Sequence, residues 1–337
     1  MNWRNKVIGC WALALMGVAA LSPANAEPLN IRIAWSTMPT HLIPALYIKK
    51  DILKHYGKSY VVDPIQFRGS SPQLTALAAR EIDIATLGPA PFALGITNAK
   101  LDLKIVADVF QDGVPGFLTM QFLVKNDAGI ASAADLKGKR LASNAIGSTA
   151  DTAIRAMLHR SGLNPDKDVN ILEAGFPNMQ AMLESGRIDL ASGAQPFTGR
   201  MLQTGKIKVL FDGGEAFGGP TQGVMLTARA SFLAANRAAM QDFFEDHVRA
   251  VRWFLDPANR DEAIKIVSTF MKVDGKQLSN FLSKDDYYRD PWLKPNIAGT
   301  QKVLDYSVEF GFIPENIKAS DNADLSFIEE ARRRIGE

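Results

Sequence analysis

Four hydroxyl residues stand in two pairs where helices are expected to begin. Gly69-Ser70-Ser71 precedes a helix expected to open at Pro72. Gly147-Ser148-Thr149 precedes a run with apolar residues at Ala150, Ala153, Ile154, Met157 and Leu158, which is helical spacing. A helix N-terminus offers free backbone N–H groups and the positive end of its dipole, so two of them facing each other can grip an anion. Capping the helix is the plainer use of the same hydroxyls. Trp35-Ser36-Thr37 follows an alternating strand, and an aromatic with polar neighbours at a strand end suits a pocket wall. Gly88-Pro89 and Gln195-Pro196 close two further strands, and Phe176 and Asn178 sit at another helix start. Arg68 has the forked donor geometry that pairs with a carboxylate or sulfonate, although a solvated strand end would also carry an arginine.

Other chemistry is missing. The four histidines, His41, His55, His159 and His247, show no metal-ligand spacing. His41 lies in the first loop, where it could touch a ligand, but it reads first as a surface or capping residue. No G-x-S-x-G, phosphate loop or dinucleotide fingerprint occurs, so no catalytic residue, cofactor or metal is expected. Asp83 and Asp189 read as structural, since a carboxylate aimed at an anion repels it. Phe92, Phe117, Phe197 and Phe217 read as core.

The elements that position these residues come in duplicate. Leu74 to Phe92 runs from an apolar helix through a tight turn into Ile-Asp-Ile-Ala and a Gly/Pro loop. Met179 to Phe197 repeats that course with Ile-Asp-Leu-Ala. Strands alternate with helices up to about residue 228, which points to parallel sheets, and the remainder is mostly helical. Two similar α/β units imply two lobes, with ligand loops beyond the carboxyl ends of the strands. The expected organisation is a first lobe of 27–120 and 226–337, and a second lobe of 121–225 inserted into it. Gly213-Gly214 and Gly218-Gly219 read as a mobile loop before the return strand.

At the N-terminus, Arg4 and Lys6 precede an apolar run from Val7 to Leu21 and an Ala24-Asn25-Ala26 site, the order of a cleavable export signal over residues 1–26. Val7-Ile8-Gly9-Cys10 resembles a lipobox, but its cysteine precedes most of the apolar run. Cleavage after Ala26 removes Arg4 and Lys6, and with them the small excess of 38 basic over 36 acidic residues. A neutral mature chain has no general attraction for nucleic acid or an anionic bilayer. Cys10, the sole cysteine, leaves with the signal, so neither a disulfide nor a thiolate nucleophile remains.

In this order the features resemble the nitrate/sulfonate/taurine group of periplasmic solute-binding proteins that serve ABC importers. The likeness is carried by the strand ending at Trp35, the Ala-Ala-Arg-Glu-Ile-Asp-Ile-Ala turn before Gly88-Pro89, Asp135-Leu-Lys-Gly-Lys139, Gly147-Ser148 and Ser161-Gly-Leu163. Leu183-Glu-Ser-Gly-Arg-Ile-Asp189, Gln195-Pro196 and Ala250-Val-Arg-Trp-Phe-Leu-Asp-Pro257 complete it. Lys50-Asp51 departs from a helix end that often contains glycine. The resemblance implies an α/β, two-lobed periplasmic-binding-protein fold (a Venus flytrap), with two parallel-type sheets, flanking helices and two crossover strands. It implies a monomer in the periplasm that takes a small organic anion, a sulfonate or carboxylate with an aromatic part, to an ABC permease in the inner membrane. Nitrate and a pyrimidine-type thiamine precursor are the alternative ligands. The alternative functions are an enzyme on the same scaffold and the sensory domain of a regulator.

Overall fold

The computed structural model describes residues 27–278 and 286–336. The expected export signal lies outside them. In chain order the strands are β1 (Leu29–Trp35), β2 (Tyr60–Gln66), β3 (Ile84–Leu87), β4 (Leu103–Asp112) and β5 (Gln121–Lys125). They continue as β6 (Arg140–Ser143), β7 (Asn170–Glu173), β8 (Leu190–Ser192), β9 (Ile207–Asp212) and β10 (Thr221–Arg229). Six helices lie among the first nine strands: α1 (Ile43–Leu46), α2 (Ser70–Ala78), α3 (Pro89–Thr97), α4 (Thr149–Arg160), α5 (Phe176–Glu184) and α6 (Phe197–Gln203). Then come α7 (Gly213–Phe217), α8 (Ala230–Ala235), α9 (Arg237–Leu255), α10 (Arg260–Met271), α11 (Ile297–Glu309) and α12 (Ser326–Ile335).

The strands form two five-stranded sheets of matching topology, β2-β1-β3-β10-β4 and β7-β6-β8-β5-β9. Both are mixed rather than parallel. In the first, β1 is parallel to β2 and β3, while β10 is antiparallel to β3 and β4. The second repeats this, with β6 parallel to β7 and β8, and β5 antiparallel to β8 and β9. The reason is an exchange of strands. β5 enters the second sheet straight from the first, and β10 enters the first straight from the second, each running against its neighbours. The chain crosses through 113–120 and returns through 213–220. Because β10 begins at Thr221 and lies wholly in the first sheet, the return falls earlier than residue 225.

The glycine-rich stretch expected to be a mobile loop is helix α7. Asp212 accepts from Glu215 N, and Glu215 reaches back to Asp212 N, a capping box that closes the first turn. Similarly, α2 opens at Ser70 and not at Pro72.

The core follows the apolar spacing. In α9, Met240, Phe244, Val248, Val251 and Phe254 recur at intervals of three and four, and with Phe243 beside them all are buried. They pack with β1, α1 and α12 residues into the main core of the first half. Burying each such side chain contributes about 1.5–3 kcal/mol. The helix ends at Leu255, with Asp256 as its extended C-cap, and Pro257 cannot continue it. In the second half, Phe122, Leu141, Ile154, Leu158 and Phe211 form the largest cluster.

Candidate ligand site

The carboxyl ends of β1, β6 and β8 open onto one chamber between the two sheets. The first half lines it with Ser36, Thr37, Thr40 and His41 from the loop after β1, with Gly69 and Ser70 at the head of α2, and with Tyr287 from the C-terminal region. The second half adds Asn144, Ser148 and Thr149 before α4, Phe176 of α5, and Gly193 and Ala194 after β8. The chamber encloses about 490 Å³, counting its mouth. A larger outer chamber of about 1150 Å³ shares Ser36, Thr37 and Phe176 with it. Its walls are aromatic: Trp35, Phe67, Phe176, Phe197 and Phe270, with Arg68 among them. Trp35 and Phe270 meet edge to face at 5.8 Å.

The two halves are closed on each other. Ser71 Oγ donates to Ile146 O at 2.7 Å, and Asn144 Nδ2 donates to Arg68 O at 2.6 Å. Arg68 Nη2 stands 3.9 Å from Glu173 Oε2. Close approach also explains Gly88, since a Cβ there would lie 2.1 Å from Thr149 Oγ1.

Most of the expected hydroxyls are already engaged. Ser148 Oγ accepts from Asp151 N at 3.3 Å and donates to Asn144 Oδ1 at 3.0 Å, so it caps α4. Ser70 Oγ accepts from Gly88 N at 3.3 Å. Thr40 Oγ1, Thr149 Oγ1 and Trp35 Nε1 are buried and find no partner among the described residues. Buried polar atoms are nearly always paired, so three unpaired ones on residues that line the chambers mark this as a place built for a polar partner.

Among the described lining residues of the inner chamber, none carries a charge at neutral pH. His41 is 4% exposed, and burial, helped by the positive charge of Arg289, pushes its imidazole down to about 3. Burial also raises the Tyr287 hydroxyl, so it stays protonated. What the chamber offers an anion is dipolar: α2, α4 and α5 all present their N-termini to it.

Of the residues singled out in the sequence, Trp35, Ser36, Thr37, Arg68, Ser70, Ser148, Thr149 and Phe176 line these two chambers. Pro89 lines a small adjoining cavity with Thr149. Ser71, Gly88, Asn178 and Gln195 line none of the three. Ser71 and Gly88 instead serve the contact between the halves. His41, expected at the surface, is a wall of the inner chamber, and Phe197, expected in the core, is a wall of the outer one. Tyr287 and Phe270 carry no local sequence signal, because the fold brings them from more than 200 residues beyond Trp35. Among the described residues no group of three or more His, Cys, Asp or Glu could hold a metal.

The family model described as NMT1-like matches residues 24–268. This chain belongs to the NMT1-like family. No curated protein matches the sequence. Among solved structures, an alkanesulfonate-binding protein from Xanthomonas axonopodis pv. citri, bound to MOPS, is similar with a TM-score of 0.71 at 20% identity, over 89% of this chain and 99% of that one. The periplasmic nitrate-binding protein of Synechocystis PCC 6803 gives 0.72 at 16% identity, over 92% and 89%. The desulfurization enzyme DSZB gives 0.65 at 15% identity, over 91% and 100%. These likenesses establish the two-lobed α/β fold of periplasmic binding proteins for this NMT1-like protein. Binding proteins and an enzyme share that fold, so function has to be argued from the site. No helix of the described residues is long and apolar enough to cross a membrane.

Proposed function

We propose that this protein is the solute-binding component of an ABC import system, working in the periplasm after cleavage behind Ala26. One observation carries the reading: loops and helix N-termini from both halves converge on the inner chamber. A solute touching both halves binds the closed form better than an open one and so shifts the population towards it. The closed form then delivers it to a membrane permease. The solute is a small organic anion, a sulfonate or carboxylate. Its acid group sits between the N-termini of α2 and α4, and its apolar or aromatic body lies in the outer chamber against Trp35, Phe176, Phe197 and Phe270.

The desulfurization enzyme on the same scaffold raises a catalytic reading. The chamber argues against it, because the two titratable side chains among its described lining residues, His41 and Tyr287, are both pushed by burial towards their neutral forms, which suits neither to acid–base work near neutral pH. The binding role is tested by thermal denaturation of the mature chain with a series of aryl and alkyl sulfonates and carboxylates. At least one is expected to raise the melting temperature in a concentration-dependent way. A series in which none does so, while turnover of any of them is detected, would overturn the receptor in favour of the enzyme.

A further inference from the structure

A hydrogen bond of fixed direction stands at the junction of the two chambers. The backbone N–H of Ser36 points at His41 Nδ1 across 3.3 Å. An amide N–H can only donate, so Nδ1 keeps its lone pair. The single proton of the neutral ring then sits on Nε2, which is 3.2 Å from Ser36 Oγ. Nε2–H therefore donates and the serine oxygen accepts. Ser36 keeps a free O–H, and Ser36 lines both chambers.

The ring has little freedom to do otherwise. It is buried beside Phe110, with ring centres 6.4 Å apart. An imidazolium would set an N–H on Nδ1 against the amide N–H of Ser36. The charged groups behind the loop act in the same sense. Arg289 donates to the carbonyls of Pro39 and Thr40 at 3.2 and 3.1 Å and to Asp286 at 2.9 Å. It fixes the loop that carries His41 and disfavours a second positive charge there.

We infer that His41 is a positioning residue that makes Ser36 a hydrogen-bond donor of fixed direction, so that the solute must present an acceptor oxygen there. This rests on the reading of the chamber as a solute site and narrows it. Sulfonyl, carboxylate and carbonyl oxygens satisfy the donor. An ammonium group does not, and among the described residues no aspartate or glutamate lines either chamber to compensate it. The same polarity removes Ser36 as a nucleophile. A serine is activated when a histidine nitrogen accepts its proton, and here that nitrogen already carries one.

The donor assignment is testable without any solute. Long-range proton–nitrogen spectra of the mature protein, with the His41 signals identified through His41→Gln, should show the Nε2–H tautomer and no titration from pH 5 to 8. An Nδ1–H tautomer or an imidazolium at pH 7 would overturn it. Calorimetric titration then uses two probes of similar size, benzenesulfonate and benzylammonium. Benzenesulfonate is expected to bind and benzylammonium not to. Ser36→Ala, which keeps the backbone N–H and hence the ring, should weaken benzenesulfonate by about ten- to a hundredfold. His41→Leu should weaken it about tenfold, with His41→Gln restoring most of that, since its amide can donate to Ser36 Oγ. Tighter binding of benzylammonium, or undiminished binding by Ser36→Ala, would refute the assigned polarity. The expected tautomer with neither probe bound would refute the solute site while leaving the donor assignment standing.

Discussion

The two sheets hold the same clamp at the same place with unequal burial. Asp83, just before β3, accepts from Arg32 N and Nε at 3.0 Å each and from Nη2 at 2.8 Å. Asp189, just before β8, accepts from Arg140 N at 2.9 Å, Nε at 3.2 Å and Nη2 at 3.4 Å. Each aspartate thus ties its strand to the neighbouring parallel one. Yet the Asp83 side chain is 6% exposed and that of Asp189 is 24% exposed. The contrast recurs behind the chamber. In the first half Gln73 Oε1 accepts from Thr86 N at 2.7 Å and Thr86 Oγ1 at 2.9 Å. In the second half the matching pair is Met179 and Ser192, joined by a weak 3.6 Å contact to sulfur. At these two matching positions the first half uses polar, directional contacts and the second uses more exposed or softer ones.

The largest effect is expected at the seam, where both crossings meet. Asp112 Oδ1 accepts from Met120 N at 2.8 Å, and Met120 O accepts from Gly213 N at 2.8 Å. Burial, with the charge of Asp212 nearby, pushes the Asp112 carboxyl up to about 7. An unfolded aspartate ionises near pH 4, so the unfolded chain loses this proton first, and the contribution to stability falls as pH rises from about 4 to about 7. Asp112→Asn copies the protonated form. It should stabilise the protein by on the order of a few kcal/mol at pH 8 and by almost nothing at pH 4, as read from urea unfolding at both. Asp108, also pushed up to about 7 by burial, leaves a residual slope of the same sign.

The clamps themselves come next. Asp83→Ala strands a partly buried guanidinium and should cost about 3 kcal/mol, whereas Asp189→Ala should cost about 1–2 kcal/mol because water reaches Arg140. Equal losses would remove the distinction between the two clamps. Gln73→Met gives the first half the side chain of the second. It leaves Thr86 N without its acceptor and should cost about 2 kcal/mol. The smallest effect belongs to Ser71→Gly, which deletes an exposed bond between the halves. Stability should change by less than about 1 kcal/mol, while small-angle scattering should show a larger radius of gyration if that bond holds the halves together.

The duplication was legible because it is written locally: each Ile-Asp-x-Ala strand carries its aspartate and its buried alternation within a few residues. The partner of each aspartate was not, since Arg32 and Arg140 lie about 50 residues earlier and look like any exposed strand arginine. Strand direction was hidden for a similar reason. β5 and β10 are apolar runs whose pairing depends on where the chain has come from. Asp212-x-x-Glu215 did carry a signal, the capping box, and four nearby glycines obscured it. In the chamber, helix-start hydroxyls and Trp35 could be read from type and position. His41 was placed behind a surface or capping role, because a lone histidine in a loop shows neither its burial nor Arg289 behind it.

The exchange of strands also sets an order of manufacture. All five strands of the second sheet lie between residues 121 and 212, so that sheet can close as soon as this stretch has left the ribosome. The first sheet has no such freedom. Its β3 and β4 have β10 between them, and β10 arrives only after the whole insert has been made. Until residue 229 emerges, both strands present unpaired backbone edges, the state most open to wrong partners. The later-closing half is the one with the more directional polar contacts, so strand register there is guarded by Arg32, Asp83, Gln73 and Thr86 during the longest wait.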